Sequence, residues 1–374
     1  MKVPATVFQV FASSCWGGGE KFVCDISREL AAAGCRTVLI SRRSKVLRDC
    51  TAAMKMPHAE LPMCGAADLF SAAKIARMAV RERPQIIHIH QFKDAFTVIL
   101  AAKLCRLFSG FSPRIVVTRH LVRKGKGGIF HRWIYRHVDR IVFVSEFSRR
   151  EFLSSNPPVD TAKTVVIRNA VPDADPAQTA PDIRKRFGLD ADTPLILFCG
   201  RICREKGCDV LLKASTHLGG RKFAVVLVGT GDEGYVGSLK AMAETLNIGS
   251  NVFFYGFSDA VPALLRQADI AAAPSVASEA GGPFSTMEAM QAGVAAISSD
   301  NGAQPEFTDN GVDGLLIPPA DEQALADAII RLLDDAGLRQ RMGRAAEEKY
   351  RRELSYQTFF RNYLELYNNL QQHP

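Results

Sequence analysis

Two doubly wound α/β domains with a cleft between them are predicted by three observations. Short apolar, β-rich runs alternate with helix-spaced segments along most of the chain, the pattern of a parallel sheet covered on both faces. The alternation breaks once, at the Pro/Asp/Ala-rich stretch Val171-Pro-Asp-Ala-Asp-Pro-Ala-Gln-Thr-Ala-Pro181, which has the composition of a linker. The length, 374 residues, exceeds one ordinary core and suits two domains of roughly 150–200 residues each. The division expected is 1–170, a linker 171–181, 182–352, and a terminal helical segment 353–374.

In the first half, Thr6–Phe11, Thr37–Ile40, Ile86–His90, Ile115–Thr118, Ile141–Val144 and Thr164–Ile167 read as buried strands. Between them Lys21–Ala33, Ala67–Arg83, Ala95–Phe108, Ile129–Val138 and Glu146–Leu153 have helical spacing. After the linker the strands are Leu195–Cys199, Ala224–Val228, Val252–Tyr255, Ile270–Ala273, Ala295–Ser298 and Leu315–Ile317. Helices close the chain at Asp321–Asp334, Gly337–Glu348 and Ser355–Leu370. Ligands of such sheets bind outside the carboxyl ends of the strands, so facing domains would share one site.

Composition narrows the class. Apolar residues make up 47% and charged residues 23%, which describes a folded chain and excludes a disordered one. No run approaches the ~18–20 apolar residues of a membrane span. Val3 to Phe11 is better read as a first buried strand than as a signal peptide, because one basic residue precedes it and it passes straight into a Gly-rich turn. Nine cysteines without a C-x-x-C pair point to reduced thiols in a cytoplasmic protein. Cys199, Cys203 and Cys208 cluster, but no fourth ligand falls at zinc spacing, so no metal is expected.

Glycine-rich turns sit at strand ends, where backbone amides can approach a phosphate. Gly17-Gly18-Gly19-Glu20 follows the first strand and opens a helix. Gly200-Arg201-Ile-Cys-Arg-Glu-Lys206-Gly207 places two cations at a strand-to-helix turn, Arg suited to bidentate and Lys to point-charge binding of a diphosphate. A solvated basic turn is the plainer alternative. Gly229-Thr-Gly231 closes the next strand, and Tyr255-Gly256-Phe257 the one after it. The segment Glu279-Ala-Gly-Gly-Pro-Phe-Ser-Thr-Met-Glu288-Ala-Met-Gln-Ala-Gly293 brackets a turn with two carboxylates, and Glu288 is expected in the first turn of a helix. There a Glu could simply complement the helix dipole.

Taken in order, these elements resemble the signatures of family 4 glycosyltransferases of the GT-B fold. They match its G-G-x-E turn, its G-R-x-x-x-x-K-G element, its V-G-x-G turn and its paired glutamates. One departure stands out: eight residues separate Glu279 from Glu288, one more than the family's usual spacing. The resemblance implies two Rossmann-like domains and a last helix that crosses back to the N-terminal domain. It implies a retaining, metal-independent transfer from a nucleotide-diphosphate sugar, which is a co-substrate, with no cofactor. Arg201 and Lys206 would clamp the diphosphate, Glu288 would accept the ribose hydroxyls, and Glu279 would meet the transferred sugar. Gly17, Gly18, Gly19, Gly229, Gly231, Gly281, Gly282, Phe284 and Ser285 would line the donor. His120, at the end of the fourth strand expected in the first half, would touch the sugar near its 6-position; on its own it reads as an ordinary satisfied histidine. His88 and His90 alternate on a strand, share a face, and lack a third metal ligand.

Net charge is +8, and the stretch Arg119 to Arg140 holds seven Lys/Arg against one Asp. Arg119, Arg123, Lys124, Lys126, Arg132, Trp133 and Arg136 are candidates for an anionic acceptor or a membrane surface. Phe130, Trp133, Ile134 and His137 would form one helical face with Arg132, Arg136 and Arg140 in a row beside it. A solvated helix explains the same pattern, and no nucleic-acid motif accompanies it. The acceptor expected is a glycan or lipid-linked hydroxyl, in cell-surface polysaccharide or lipopolysaccharide synthesis. A sugar-nucleotide epimerase and a non-enzymatic sugar-binding protein remain as alternatives.

Overall fold

The computed structural model describes residues 3–12, 18–64, 68–281 and 284–372. Two compact units are present: residues 1–168 with 357–374, and residues 169–356. The first unit is therefore discontinuous in sequence.

In the first unit the elements are β1 (Thr6–Phe11), α1 (Gly18–Ala32), β2 (Arg36–Ser41), α2 (Lys45–Ala53), β3 (His58–Glu60) and α3 (Leu69–Glu82). They continue as β4 (Ile86–Ile89), α4 (Ala95–Ser109), β5 (Arg114–Arg119), α5 (Ile129–His137), β6 (Arg140–Phe143), α6 (Glu146–Leu153) and β7 (Thr164–Val166). The second unit holds α7 (Ile183–Phe187), β8 (Leu195–Cys199), α8 (Cys208–Ser215), β9 (Ala224–Val228), α9 (Glu233–Thr245), β10 (Val252–Gly256) and α10 (Val261–Leu265). It goes on through β11 (Ile270–Ala273), α11 (Phe284–Gln291), β12 (Ala296–Ser299), β13 (Leu315–Ile317), α12 (Glu322–Asp334) and α13 (Ala336–Lys349), with a π-helical turn at Tyr350–Leu354. The last helix, α14 (Tyr356–Gln372), clusters with the first unit from Gln357 onward.

Both sheets are wholly parallel. The first has seven strands in the order β3-β2-β1-β4-β5-β6-β7, and the second six in the order β10-β9-β8-β11-β12-β13. Strand order reverses between β1 and β4 in one and between β8 and β11 in the other. These are the switch points where α/β sheets open a crevice beyond their carboxyl ends. Central strands are buried along their length, as in β1 and β9, because helices cover both faces. That is why they read in sequence as unbroken apolar runs.

Helix starts follow from capping side chains. Asp68, Ser145, Asp232 and Asp321 each accept a hydrogen bond from the backbone N–H three residues on, satisfying one of the first-turn donors. Two expectations need revision. Arg140 lies in β6 and not on α5, which ends at His137, so the basic helical row stops at Arg136. Glu288 is the fifth residue of α11 and sits in its second turn, beyond the reach of a simple dipole account.

Candidate functional site

In the second unit three loops interlock at the β8/β11 switch point. The β8 loop carries Arg201 and Lys206, the β11 loop carries Glu279 and bonds to the β8 loop, and the β12 loop braces the β11 loop. The carbonyl of Glu205 accepts the N–H groups of Val276 and Ala277 at 2.9 and 3.1 Å. Asn301 Nδ2 donates to the carbonyls of Ser275 and Val276 at 2.9 and 3.2 Å, and the N–H of Ala303 to the carbonyl of Glu279 at 3.0 Å. Gly207 has φ +69°, and a Cβ there would lie 2.0 Å from the carbonyl oxygen of Pro274, so only glycine lets the loops close up.

The closure brings two expected residues together. Lys206 Nζ forms an ion pair with Glu279 Oε1, which also accepts Ser275 Oγ at 2.7 Å. Both charged groups are half-buried, so their attraction is less screened than on open surface. Arg201 stays exposed on the same loop. A cavity of about 690 Å³ lies beside it, lined by Arg201, Ile202, Arg204, Thr230, Asp232 and Tyr235. The Arg204 guanidinium sits over the Tyr235 ring, 5.3 Å from its centroid, on the cavity wall.

Glu288 is half-buried on α11, which is pinned by Thr286 Oγ1 to Ser298 Oγ at 3.1 Å and by the buried Met287, Ala289 and Met290. Burial first, and the Glu288 charge second, push the Cys199 thiol at the end of β8 up from its ordinary value. The carboxylate therefore lies close enough to the end of β8 to act on Cys199. One turn on, Gln291 Nε2 donates to Tyr350 Oη at 2.9 Å and to the carbonyl of Pro172 at 3.1 Å, tying α11 to both ends of this unit.

The glycines divide by role. Gly229 has φ +142°, and a Cβ there would lie 1.8 Å from the carbonyl oxygen of Gly200; a Cβ on Gly231 would meet that of Ile202 at 2.0 Å. Both serve the packing of the β9 turn against the β8 loop. Gly281 is buried, and Phe284 and Ser285 open α11. Gly17 and Gly282 lie outside the described residues. Gly18 begins α1, and a Cβ on Gly19 would approach the Phe11 ring at 3.1 Å. Phe257 follows β10 exposed, while Tyr255 is buried under the Arg186 guanidinium.

In the first unit the β1/β4 switch point carries an uncharged network. His90 Nε2 lies 2.7 Å from Gln9 Oε1 and His90 Nδ1 3.3 Å from His120 Nε2. His88 Nδ1 lies 2.7 Å from Tyr367 Oη and His88 Nε2 2.7 Å from Thr118 Oγ1, which reaches Tyr363 Oη at 3.2 Å. The two strand histidines do share a face, their centroids 4.1 Å apart. Phe22 packs edge-on against His120 at 4.6 Å. Burial holds His120 down to about 4, and it drives His88 and His90 well below the ordinary imidazole value. No cluster of His, Cys, Asp or Glu suited to a metal occurs among the described residues.

Of the basic stretch, Arg123, Lys124, Lys126, Arg132 and Arg136 are exposed. Arg119 is not: its guanidinium lies 5.2 Å from the Phe92 centroid and 4.7 Å from that of Phe152, and it donates to the Arg123 carbonyl at 3.2 Å. Trp133 is half-buried against Phe96 and His137. Sequence reasoning missed Gln9, Thr118, Tyr363 and Tyr367. The available signals were a glutamine inside an apolar strand and two tyrosines four residues apart on the last helix.

Two units, each a wholly parallel doubly wound sheet, have the architecture of the GT-B fold, and known proteins agree. Residues 16–175 match the model described as Glycosyltransferase Family 4, and residues 179–349 that described as Glycosyl transferases group 1. The chain belongs to the family 4 glycosyltransferases. It is 24% identical to an alpha-maltose-1-phosphate synthase of Mycolicibacterium smegmatis, over 93% of this chain and 92% of that protein. It is 30% identical to an alpha-D-kanosaminyltransferase of Streptomyces kanamyceticus, over 46% of this chain and only 45% of that one. A glycosyltransferase from Rickettsia africae superposes with a TM-score of 0.87 at 22% identity, covering 99% of this chain and 100% of that one. Anabaena HepE, solved in complex with UDP, superposes at 0.81 with 18% identity, covering 97% and 100%. No helix among the described residues is long and apolar enough to cross a membrane.

Proposed function

We propose that the chain transfers a sugar, with retention of configuration and without a metal, from a nucleotide-diphosphate sugar to a hydroxyl of a glycan or lipid-linked acceptor. The observation that carries this reading is the ion pair of Lys206 with Glu279 across interlocked loops at the β8/β11 switch point, with Arg201 on the same β8 loop beside a cavity. Two cations on a braced loop suit the charge that grows on a departing diphosphate, and fixed charges in a partly dry site stabilise it without reorganising. Glu279, paired with Lys206, would orient sugar hydroxyls against that clamp. Glu288 would accept the ribose hydroxyls, and His120 would meet the sugar near its 6-position. A donor phosphate oxygen would help take the acceptor proton, so the protein contributes orientation and electrostatics more than a nucleophile.

HepE binds UDP and shares this fold, which makes uridine diphosphate the first nucleotide to test. The exposed Arg123, Lys124, Lys126, Arg132 and Arg136 suit an anionic acceptor or the inner face of a membrane, as cytoplasmic synthesis of surface polysaccharide or lipopolysaccharide would require. The deciding experiment is calorimetric titration of UDP, GDP and ADP into wild type, Arg201→Ala and Lys206→Ala without added metal. Binding of one nucleotide, lost in both variants, is the expected result. Absence of binding by all three would remove the donor reading.

A further inference from the structure

We propose that Cys24 and Cys50 form an oxidation site, at which a hydroperoxide converts the two thiols into a reversible disulfide between α1 and α2. The inference is independent of the donor reading, since it involves neither the charged loops nor a nucleotide.

The two thiols meet across a helix pair. Cys24 lies midway along α1 and Cys50 in the second turn of α2, and the two helices pack against each other. Their side chains are hydrogen-bonded thiol to thiol. Residues two apart on a helix point about 200° apart. So α1 turns Phe22 towards His90 and His120, and Cys24 towards α2. Cys24 is buried, whereas Cys50 is partly exposed. A peroxide arriving from solvent therefore meets Cys50 first.

The surroundings divide the two roles in the same way. The hydrogen bond from Cys24 first, and the Arg28 guanidinium after it, lower the Cys50 thiol against the opposing effects of burial and Asp25. Asp25 is itself paired with Arg28 at 2.9 Å. The same hydrogen bond first, and burial second, push Cys24 up, so Cys24 keeps its proton and donates it towards Cys50. Burial pushes Cys35, Cys199, Cys203 and Cys208 up as well. A partly exposed thiolate beside a protonated second thiol is the arrangement that oxidises selectively and then resolves to a disulfide.

The chemistry balances with the peroxide as oxidant. The Cys50 thiolate attacks one peroxide oxygen, the O–O bond breaks, and hydroxide leaves and takes up the proton Cys50 had lost. Cys50 is then a sulfenic acid. The Cys24 sulfur attacks the Cys50 sulfur, the S–O bond breaks, and the hydroxyl leaves as water with the Cys24 proton. Two thiols lose two hydrogens and two electrons, and the peroxide becomes two waters. A thiol reductant reverses the bond by exchange.

The full chain, reduced and then freed of reductant, is treated with hydrogen peroxide, and its remaining thiols are blocked with N-ethylmaleimide. Mass mapping of the unreduced digest should find the Cys24 peptide joined to the Cys50 peptide, and dithiothreitol should separate them. Pairing of either cysteine with any other, within or between chains, overturns the proposal. So does maleimide on both Cys24 and Cys50 while other thiols are oxidised. Dimedone, which captures sulfenic acids, tests the order of events. Cys24→Ser keeps a hydrogen-bond donor and should trap the sulfenic acid at Cys50, with at least about 10-fold more label than Cys24 takes in Cys50→Ser. Equal labelling overturns the assignment of Cys50 as the attacked sulfur. The map of the wild-type chain decides the pairing even where a variant fails to fold.

Discussion

The two switch points of this chain are organised by opposite chemistry. Above β1 and β4 the polar groups are uncharged, buried and joined end to end by Gln9, His90 and His120 and by Tyr367, His88 and Thr118. Above β8 and β11 they are charges, half-buried or exposed, held by loops that brace one another through backbone. The contrast separates two ways of building precision. A buried neutral network fixes direction, because its central members are held on more than one side, as His88 is by Thr118 and Tyr367. An exposed charged loop fixes field, and tolerates more movement provided the cations stay near the anion.

The largest effect expected tests the charged side. Arg201→Ala should lower donor turnover about 10²–10³-fold, by analogy with loss of one fixed donor to developing charge. Because Arg201 is exposed, its melting temperature should stay within a degree or two of wild type; a large drop would make it structural. Lys206→Ala should lose similar activity and also some stability, since Glu279 is left half-buried without its partner.

Gly229→Ala tests the frame beneath those charges. A Cβ placed 1.8 Å from the Gly200 carbonyl at φ +142° should cost about 3 kcal/mol or more, read by urea denaturation. A variant of wild-type stability would show that the β8 and β9 loops pack more loosely than described.

On the neutral side, Tyr367→Phe strips one partner from the fully buried His88 and should cost about 1–3 kcal/mol. Little change in stability would mean that His88 finds another partner.

The pH profile sharpens the same contrast. Burial holds His120 down to about 4 from an ordinary 6.5 and drives His88 and His90 well below 6.5 as well. Folded-state values below the unfolded ones mean stability that is full above pH 6.5 and is lost as pH falls towards 4. Melting temperature should fall across that window, and less steeply in His120→Asn. Asp94, buried after β4, is pushed up to about 6 from 3.8, so its contribution runs the other way, present below 3.8 and lost as pH rises through 6. Asp94→Asn should therefore stabilise the protein modestly above pH 6. Thermal scans from pH 4 to 8 check both signs.

Most of the fold was legible because parallel, doubly covered strands carry continuous apolar runs, and β1, β8, β9 and β11 have the bounds their residues suggest. Two elements of the first unit were not. The edge strand β3, His58-Ala-Glu60, has no apolar run, and α2 is a short helix of mixed composition begun by the Ser44 cap. The charged site was half legible: Arg201, Lys206 and Glu279 stand out, but their pairing depends on how Pro274 closes over Gly207, a three-dimensional fact. Of the neutral network, His88, His90 and His120 were legible as separate residues, but not their connection, since partners such as Tyr367 lie 279 residues away along the chain.

The terminal helix has a consequence for how the protein is made. Tyr363 and Tyr367 are among the largest side chains buried in the first unit, yet they are the last of its described parts to leave the ribosome. Until then the strands of the seven-stranded sheet lack the phenol that bonds His88. The second unit, continuous from 169 to 356, meets no such delay and can complete itself first. An excised first half ending at the linker would carry the same unfinished surface, so any attempt to produce that unit alone needs residues 357–372 grafted back onto it.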